Sequence, residues 1–361
     1  MAILPKDIYR SRRTWKTVLA WVLVVLAILI ALVLGIFYGL QRYVVVTQDG
    51  VELHLPFLED QAENPGETHV PVDVVMEAED YSQVRQNPGA SLSPLRACYM
   101  PFDAVTAGDL DSYLARAASL GAKAIVLELK SASGSLAWSS EVSLAQSYGA
   151  AGSLDLAAAV ETIREAGLSP IGELACCTDQ ILALRKPDLA LKTAAGTAYT
   201  DSSGYWLNPY HTEVRGYVTD LARELFDLGL DEVILTGLAF PPVSVESLDF
   251  SQAGSGEVTP AACVGSFSAG VLRKLGTLEA GQAISVSMEA QALRDGAAAQ
   301  NGQDPQTLFS LFDRVYVPTD LYTAAADREI AAGLIQSGNA ESRLVSVIAG
   351  SGTETGSCLI Q

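Results

Sequence analysis

The chain has 361 residues, 49% of them hydrophobic, with 42 acidic against 23 basic side chains and a formal net charge of −19. That length and apolar content suffice for one large core or two modest ones. A surface this acidic excludes nucleic acid as a partner, because phosphate neutralisation needs clustered Lys and Arg.

The charge is unevenly spread. Residues 1 to 16 form a basic tail of charge +4, with Lys6, Arg10, Arg12, Arg13 and Lys16 against Asp7, so the remaining 345 residues carry −23. Most of that negative charge reads as a solvated surface that keeps an outer domain soluble. An uncharged run rich in Leu, Val and Ile follows from Val18 to Leu40, long enough to cross a bilayer core of roughly 30 Å. A cleaved signal peptide has an apolar region of about 7 to 15 residues and a small-x-small cleavage site. Ile36-Phe37-Tyr38-Gly39-Leu40 offers no such site. The reading is a transmembrane anchor over 17–41, with the lipid bilayer as its partner. The basic flank then holds the N-terminus in the cytoplasm, giving a single-pass cell-membrane protein whose remaining residues are extracytoplasmic.

Beyond the anchor, Arg42 to Thr47 and Val51 to Leu55 flank Gln48-Asp49-Gly50, a turn sequence that predicts a β-hairpin over 42–57. Residues 58–94, rich in Glu, Pro, Gly and Ser, read as a linker with one further strand near Val72 to Met76. From residue 95 a unit repeats. Leu110, Tyr113, Leu114, Ala117 and Ala118 have helical spacing and end at Gly121 before the apolar run Ala124-Ile125-Val126-Leu127. Leu156, Ala159, Val160 and Ile163 lead likewise through Gly167 to Pro170-Ile171-Gly172-Glu173-Leu174. Val214, Val218, Leu221 and Leu225 lead through Gly229 to Val233-Ile234-Leu235. Thr259-Pro260 and Asp304-Pro305 are two more helix starts.

The strands read as Ala97 to Pro101, Ala124 to Lys130, Pro170 to Cys176, Glu232 to Gly237, Ala283 to Glu289, Arg314 to Pro318, Arg343 to Ala349 and Cys358 to Ile360. Eight strands alternating with helices predict an α/β fold, a (β/α)8 TIM barrel over 95–361, although the eighth strand is a stub with no helix after it. A doubly wound open sheet would show a Gly-rich turn after its first strand, and Met100-Pro101-Phe102-Asp103 is not one.

Cys98, Cys176, Cys177, Cys263 and Cys358 form no Cys-x-x-Cys pair and read as small buried hydrophobes. His54, His69 and His211 lie far apart, so the sequence proposes no metal site. Nor does it carry a phosphate-cradling loop, a Gly-x-Ser-x-Gly elbow or any other cofactor motif.

In a barrel of this kind, chemistry sits at the C-terminal ends of the strands. Those positions hold Glu128 and Lys130 on the second strand, Glu173 and then Asp179 after the third, Thr236 on the fourth, Glu289 on the fifth and Asp320 after the sixth. Glycoside cleavage needs two carboxyl groups across the scissile bond, and Glu128 with Glu289 is the pair selected. The competing reading of Glu128 is a salt bridge to Lys130, two residues along the same strand face. Trp138, Tyr205, Trp206, Tyr210, Tyr316 and Tyr322 fall in or near the strand-end loops. There, flat aromatic faces stack on pyranose rings while hydroxyls meet Asn208 or Asp320. The alternative for Trp206 and Tyr210 is packing of their loop onto the barrel rim.

The segment from Tyr205-Trp206-Leu207-Asn208-Pro209-Tyr210 through Asp231-Glu232-Val233-Ile234-Leu235-Thr236-Gly237-Leu238-Ala239-Phe240-Pro241 resembles a family of bacterial (β/α)8 proteins related to glycoside hydrolases. The family pattern there is Trp-x-Asp-Pro, a helix, then Asp-Glu-Ile-x-x-Asp-Tyr-x-Arg-Phe-Pro. The run Val126 to Gly134 is similar to its Val-Ile-Asp-Val-Lys-Asp-x-x-Gly, with Glu128 for Asp, Lys130 retained and Ser131 for the next acid. Asp179 matches the acid of its Phe-Lys-Asp run, whereas Glu173 stands where Arg is expected and Asn208 where Asp is usual. The departures at the fourth strand weigh most: Thr236 replaces Asp, Gly237 replaces Tyr and Ala239 replaces Arg.

The resemblance covers residues 95–361 and implies a carbohydrate partner, either a polysaccharide or a cell-envelope glycan. By analogy with related barrels it makes the fourth-strand acid the nucleophile, a role threonine does not fill. The expectation is therefore an anchored, glycan-binding barrel with weak or absent hydrolysis, with Lys130, Glu173, Asp179, Trp206, Asn208, Tyr210, Thr236, Asp320 and Tyr322 as substrate-binding candidates. An active glycosidase using Glu128 and Glu289 is one alternative, and a non-catalytic scaffold that binds protein partners is the other.

Overall fold

The computed structural model describes residues 84–249, 259–296, 300–320, 322–350 and 356–361, with Leu19, Trp21, Leu23, Tyr81 and the strands β1 (Val44–Thr47) and β2 (Gly50–Leu53). The chain divides into two compact units, residues 1–75 and 76–361. In the first, β1 pairs antiparallel with β2, with Thr47 opposite Gly50. The anchor expected over 17–41 and the linker over 58–94 lie largely outside the described residues. Among those described, no helix is long and apolar enough to cross a membrane.

The second unit contains β3 (Arg96–Met100), β4 (Ala124–Lys130), β5 (Ser169–Ala175), a small hairpin of β6 (Thr200–Asp201) and β7 (Gly204–Tyr205), then β8 (Glu232–Thr236), β9 (Ala283–Ser287), β10 (Val315–Pro318), β11 (Leu344–Ile348) and β12 (Cys358–Ile360). All but the hairpin close into one barrel of eight parallel strands, arranged around the axis in chain order. The three-residue β12 completes the ring. Cys358, Leu359 and Ile360 pair with Arg96, Ala97 and Cys98 of β3 on one side and with Ser346, Val347 and Ile348 of β11 on the other.

Gly121, Gly167 and Gly229 take positive φ (62°, 75° and 96°), which lets the chain leave each helix and turn into β4, β5 and β8. The helices before them, Leu110–Ser119, Leu156–Glu165 and Thr212–Asp227, each bury one face; the third buries Val214, Tyr217, Val218, Leu221 and Leu225. The two Pro-led helices start as their sequences require: the Thr259 hydroxyl accepts from Ala262 N–H and the Asp304 carboxylate from Thr307 N–H.

Strand alternation separates two cores. Ile125, Leu127 and Leu129 of β4 pack outward in the large core that includes the helix faces. Val126, Ile171, Ile234, Tyr316, Val345 and Leu359 fill the barrel interior. Below them the interior is polar: Glu232, buried at the start of β8, takes hydrogen bonds from Tyr316 Oη (2.9 Å) and Ser285 Oγ (2.6 Å) and pairs with Arg314. The Arg314 guanidinium also donates to the carbonyls of Ser342 and Ser93, at 3.1 Å each. Tyr316 is thus a core residue and not a loop aromatic. All five cysteines are buried as thiols.

Candidate active site

Period-two alternation that points Val126 inward also points Glu128 inward one step nearer the strand end. The same holds for Glu173 above Ile171 and Thr236 above Ile234. These three, with Lys130, Trp206, Ser287 and Glu289, line a cleft of about 770 Å³ at the C-terminal ends of the strands, a size that suits a small-molecule or oligosaccharide ligand. Asp201, Ser202 and Ser203 from the β6–β7 turn form part of its rim, and Asp295, Asn301 and Gln303 part of the opposite wall.

The carboxyls differ sharply. Glu128 and Glu173 are direct cross-strand neighbours. Glu128 Oε2 accepts from Tyr99 Oη (3.0 Å) and Phe102 N–H (2.9 Å). Glu173 has no such donors. Burial, and then the charge of Glu128 beside it, push its carboxyl up to about 8, opposed only by a hydrogen bond with Thr236. The Thr236 hydroxyl also lies 3.2 Å from the Leu174 carbonyl and has one proton to give. The hydroxyl therefore serves the Leu174 carbonyl or the Glu173 carboxylate, one at a time. On the cleft floor Glu173 is thus the carboxyl pushed towards its neutral form. Burial and the same two acids raise the Tyr99 phenol, keeping it a donor. Glu289 is exposed on the far side of the mouth, where it precedes the helix Ala290–Asp295.

Lys130 does not pair with Glu128. Its ammonium sits 3.0 Å from Asp179 Oδ2, both side chains fully buried, and donates to the Ala175 carbonyl at 2.8 Å. Asp179 Oδ1 caps the helix Gln180–Arg185 through Leu182 N–H (2.8 Å). Gly134 (φ +91°) passes so close that a Cβ there would lie 2.0 Å from Asp179 Oδ1. The Lys-x-x-x-Gly spacing and the later Asp thus belong to one buried structural unit behind the wall of the cleft.

Of the other sequence candidates, only Trp206 joins the cleft. It is 6% exposed and its Nε1–H has no hydrogen-bond partner. Asn208 is buried, with Oδ1 accepting from Tyr210 N–H (3.0 Å), and Tyr210 rests on Phe240 with ring centroids 5.5 Å apart; both support the wall from behind. Asp320 is exposed and organises the turn before the helix Ala324–Leu334, accepting from Tyr322 N–H (2.8 Å) and Thr323 N–H (2.9 Å), while Tyr322 is 96% exposed. Neither lines the cleft. Trp138 is buried elsewhere, its Nε1 donating to Glu224 Oε2 (3.0 Å) beside a separate cavity of about 590 Å³.

Several contributors escaped sequence reasoning, among them Asp201, Ser203, Asp295 and Asn301 in the cleft lining. Tyr99 could have been found from its alternation with Ala97 on the first strand. Gln303 offers no sequence signal: it is buried in a loop, accepts from Glu289 N–H (2.9 Å) and donates to the carbonyls of Ser287 (3.0 Å) and Leu238 (3.3 Å), tying together the ends of β8 and β9. Among the described residues no group of three or more His, Cys, Asp or Glu could hold a metal ion.

An eight-stranded parallel barrel with acids gathered at its strand ends is the scaffold of a barrel-type enzyme-like protein, and the family match narrows the class. Residues 97–319 match the family model described as "Putative glycosyl hydrolase domain", and the chain belongs to that family. Among solved structures the chain is similar to a hypothetical protein from Ruminiclostridium thermocellum, at 23% identity and TM-score 0.46, covering 52% of this chain and 96% of that one. It is also similar to the GH20 exo-β-N-acetylglucosaminidase from Vibrio harveyi (13%, TM-score 0.47, 71% of this chain and 42% of that one). A GH36 α-galactosidase from Geobacillus stearothermophilus matches at 12%, TM-score 0.46, over 79% of this chain and 41% of that one. The chain spans less than half the length of these two glycosidases. No curated protein matches it.

Proposed function

We propose that the barrel engages a polysaccharide or cell-envelope glycan in its strand-end cleft, and that hydrolysis there is weak or absent. The observation that carries this is the cleft itself, lined by Glu128, Glu173, Glu289 and Trp206 in a chain of a glycosyl hydrolase family, with neutral Thr236 at the fourth strand. A carboxylate at that position stabilises an oxocarbenium-like transition state, and a threonine does not. Losing several kcal/mol of such stabilisation slows turnover about tenfold for each 1.36 kcal/mol. The basic tail and the apolar run from Val18 to Leu40 support placing this activity on the outer face of a cell membrane.

One observation favours a second reading, an active enzyme. Glu173, its carboxyl pushed up to about 8, stands next to the position that Thr236 leaves without an acid, with Glu128 as its cross-strand neighbour. That is a pair of carboxyl groups, although on adjacent strands.

The test compares the natural protein with the double variant Thr236→Asp, Ala239→Arg on cell-wall and plant polysaccharides. Glycan binding without product from the natural protein, with turnover in the double variant, supports the first reading. Hydrolysis by the natural protein that Glu173→Gln or Glu128→Gln abolishes establishes the second. Absence of binding to any glycan would leave the barrel as a scaffold for protein partners.

A further inference from the structure

A smaller cavity, of about 310 Å³, lies at the other end of the barrel from the cleft. Its place is fixed by Asp313 and Arg343, which stand just before β10 and β11 at the N-terminal ends of the strands. Arg85 and Arg343 line it together with Gln86, Asn87, Gln336 and Ser337, and no acidic residue does. In a chain with 42 acidic and 23 basic side chains, that reverses the general balance. The volume is at the low end of the range for small-molecule sites, about 300–1,000 Å³.

The charges around this cavity do not cancel. Asp313, a buried neighbour of both arginines, is fully committed: Oδ2 accepts from Arg85 Nη1 (2.7 Å) and Ile284 N–H (2.9 Å), and Oδ1 from Gly89 N–H (2.8 Å). Arg343, 1% exposed, has only backbone acceptors. It donates to the carbonyls of Asp313 (3.1 Å), Ser337 (3.0 Å), Phe309 and Phe312 (2.6 Å each). Gly89 packs so closely that a Cβ there would lie 2.7 Å from Arg343 Nε, which holds the guanidinium in place. Burial brings that guanidinium down to about 10, with Asp313 opposing and Arg85 assisting, so it stays charged at neutral pH. Two guanidinium charges thus share one carboxylate, and one positive charge is left over.

The same cavity collects donors without acceptors. Arg85 makes one ion pair, with Asp313, and its remaining N–H groups have no acceptor among the described residues. The side-chain amides of Gln86, Asn87 and Gln336 are exposed and likewise without partners there. A tetrahedral oxyanion accepts hydrogen bonds from several directions at once, whereas a carboxylate offers two oxygens in one plane. The acidity of the whole chain opposes such an anion only weakly, because exposed charges beyond about 8 Å are screened at physiological salt. We propose that this cavity binds a small phosphate-bearing anion, held by Arg85 and by the amides of Gln86, Asn87 and Gln336, with the fixed charge of Arg343 behind them.

Inorganic phosphate, glycerol phosphate and acetate are titrated by calorimetry into the full-length chain in neutral detergent micelles, and phosphatidic acid is added to the micelles in a separate series. At least one phosphate is expected to bind, with acetate about tenfold weaker or more. Gln336→Glu changes an exposed side chain without partners, so it should leave the urea midpoint unchanged. The carboxylate it puts in the cavity should weaken phosphate binding about tenfold or more, and Arg85→Gln should do the same. Binding of the soluble phosphates assigns the site to a free phosphate. Binding of phosphatidic acid alone, lost in Gln336→Glu, assigns it to a lipid headgroup. Phosphatidic acid binding that Gln336→Glu leaves intact belongs to the basic tail of residues 1–16 and, without a response to soluble phosphate, overturns the proposal. Acetate binding as tight as phosphate, or no binding of any anion, also overturns it. None of these outcomes touches the glycan reading, which rests on the opposite end of the barrel.

Discussion

Strands β4 and β5 lead into two acid sites, one with a cation and one without. Asp179 faces Lys130 inside the wall, caps a helix and is sealed by Gly134. Glu173 faces only another carboxylate and a threonine, and rises towards neutrality instead. The same residue chemistry thus serves stability where charge is matched and leaves a proton on call where it is not. The first arrangement tolerates burial because the ammonium faces the carboxylate at 3.0 Å and also donates to a backbone carbonyl, while the other carboxylate oxygen caps a helix; the second keeps the cleft floor responsive to pH.

Removing one member of the matched pair should do the most damage. Lys130→Met leaves Asp179 buried and uncompensated and is expected to cost about 3–5 kcal/mol, read as a lower urea midpoint. Adding Asp179→Leu should recover part of that loss, and failure to recover any would mean the helix cap outweighs the ion pair.

Glu173 offers the next effect, through pH. Its folded-state value lies above the usual carboxyl value of 4.5, at about 8. Between those limits the folded protein holds a proton that the unfolded chain has released, so stability is complete below about pH 4.5 and falls as pH rises through about 8. With allowance for water in the cleft, the loss is roughly 2 kcal/mol. Urea midpoints across this range should show the slope, and Glu173→Gln should flatten it.

Tyr99→Phe deletes the phenol's hydrogen bond to Glu128 Oε2 and should cost about 1–2 kcal/mol, while shifting the Glu173 titration measured by NMR. The smallest effect is expected from Tyr322→Ala and Asp320→Ala: both residues lie outside the cleft, so affinity for the cell-wall and plant polysaccharides should not change.

The barrel was legible because its grammar is local. Three helices carry an apolar stripe, end at Gly121, Gly167 or Gly229 and precede a short apolar run, and with that frame all eight strands, even Cys358 to Ile360, could be placed to within two residues. The strand-end rule also gathered Glu128, Glu173, Thr236 and Glu289 around one mouth. What spacing could not show was which partner a side chain chooses. Glu128 is nearer in sequence to Lys130, but Asp179 arrives from the next loop and takes the ammonium. Asp320 and Tyr322 follow a strand end as the rule requires, yet the chain turns there into the helix Ala324–Leu334 and keeps both at the surface. Gln303 acts through a loop whose conformation depends on contacts with two strand ends.

The network of Glu232, Arg314, Tyr316 and Ser285 beneath the apolar interior has a bearing on traffic. With that end plugged, the barrel is a cup and not a tunnel. A polymer cannot be threaded through it; it must lie across the opening or dip one end in. On the glycan-binding reading, arrival and departure therefore share a single doorway.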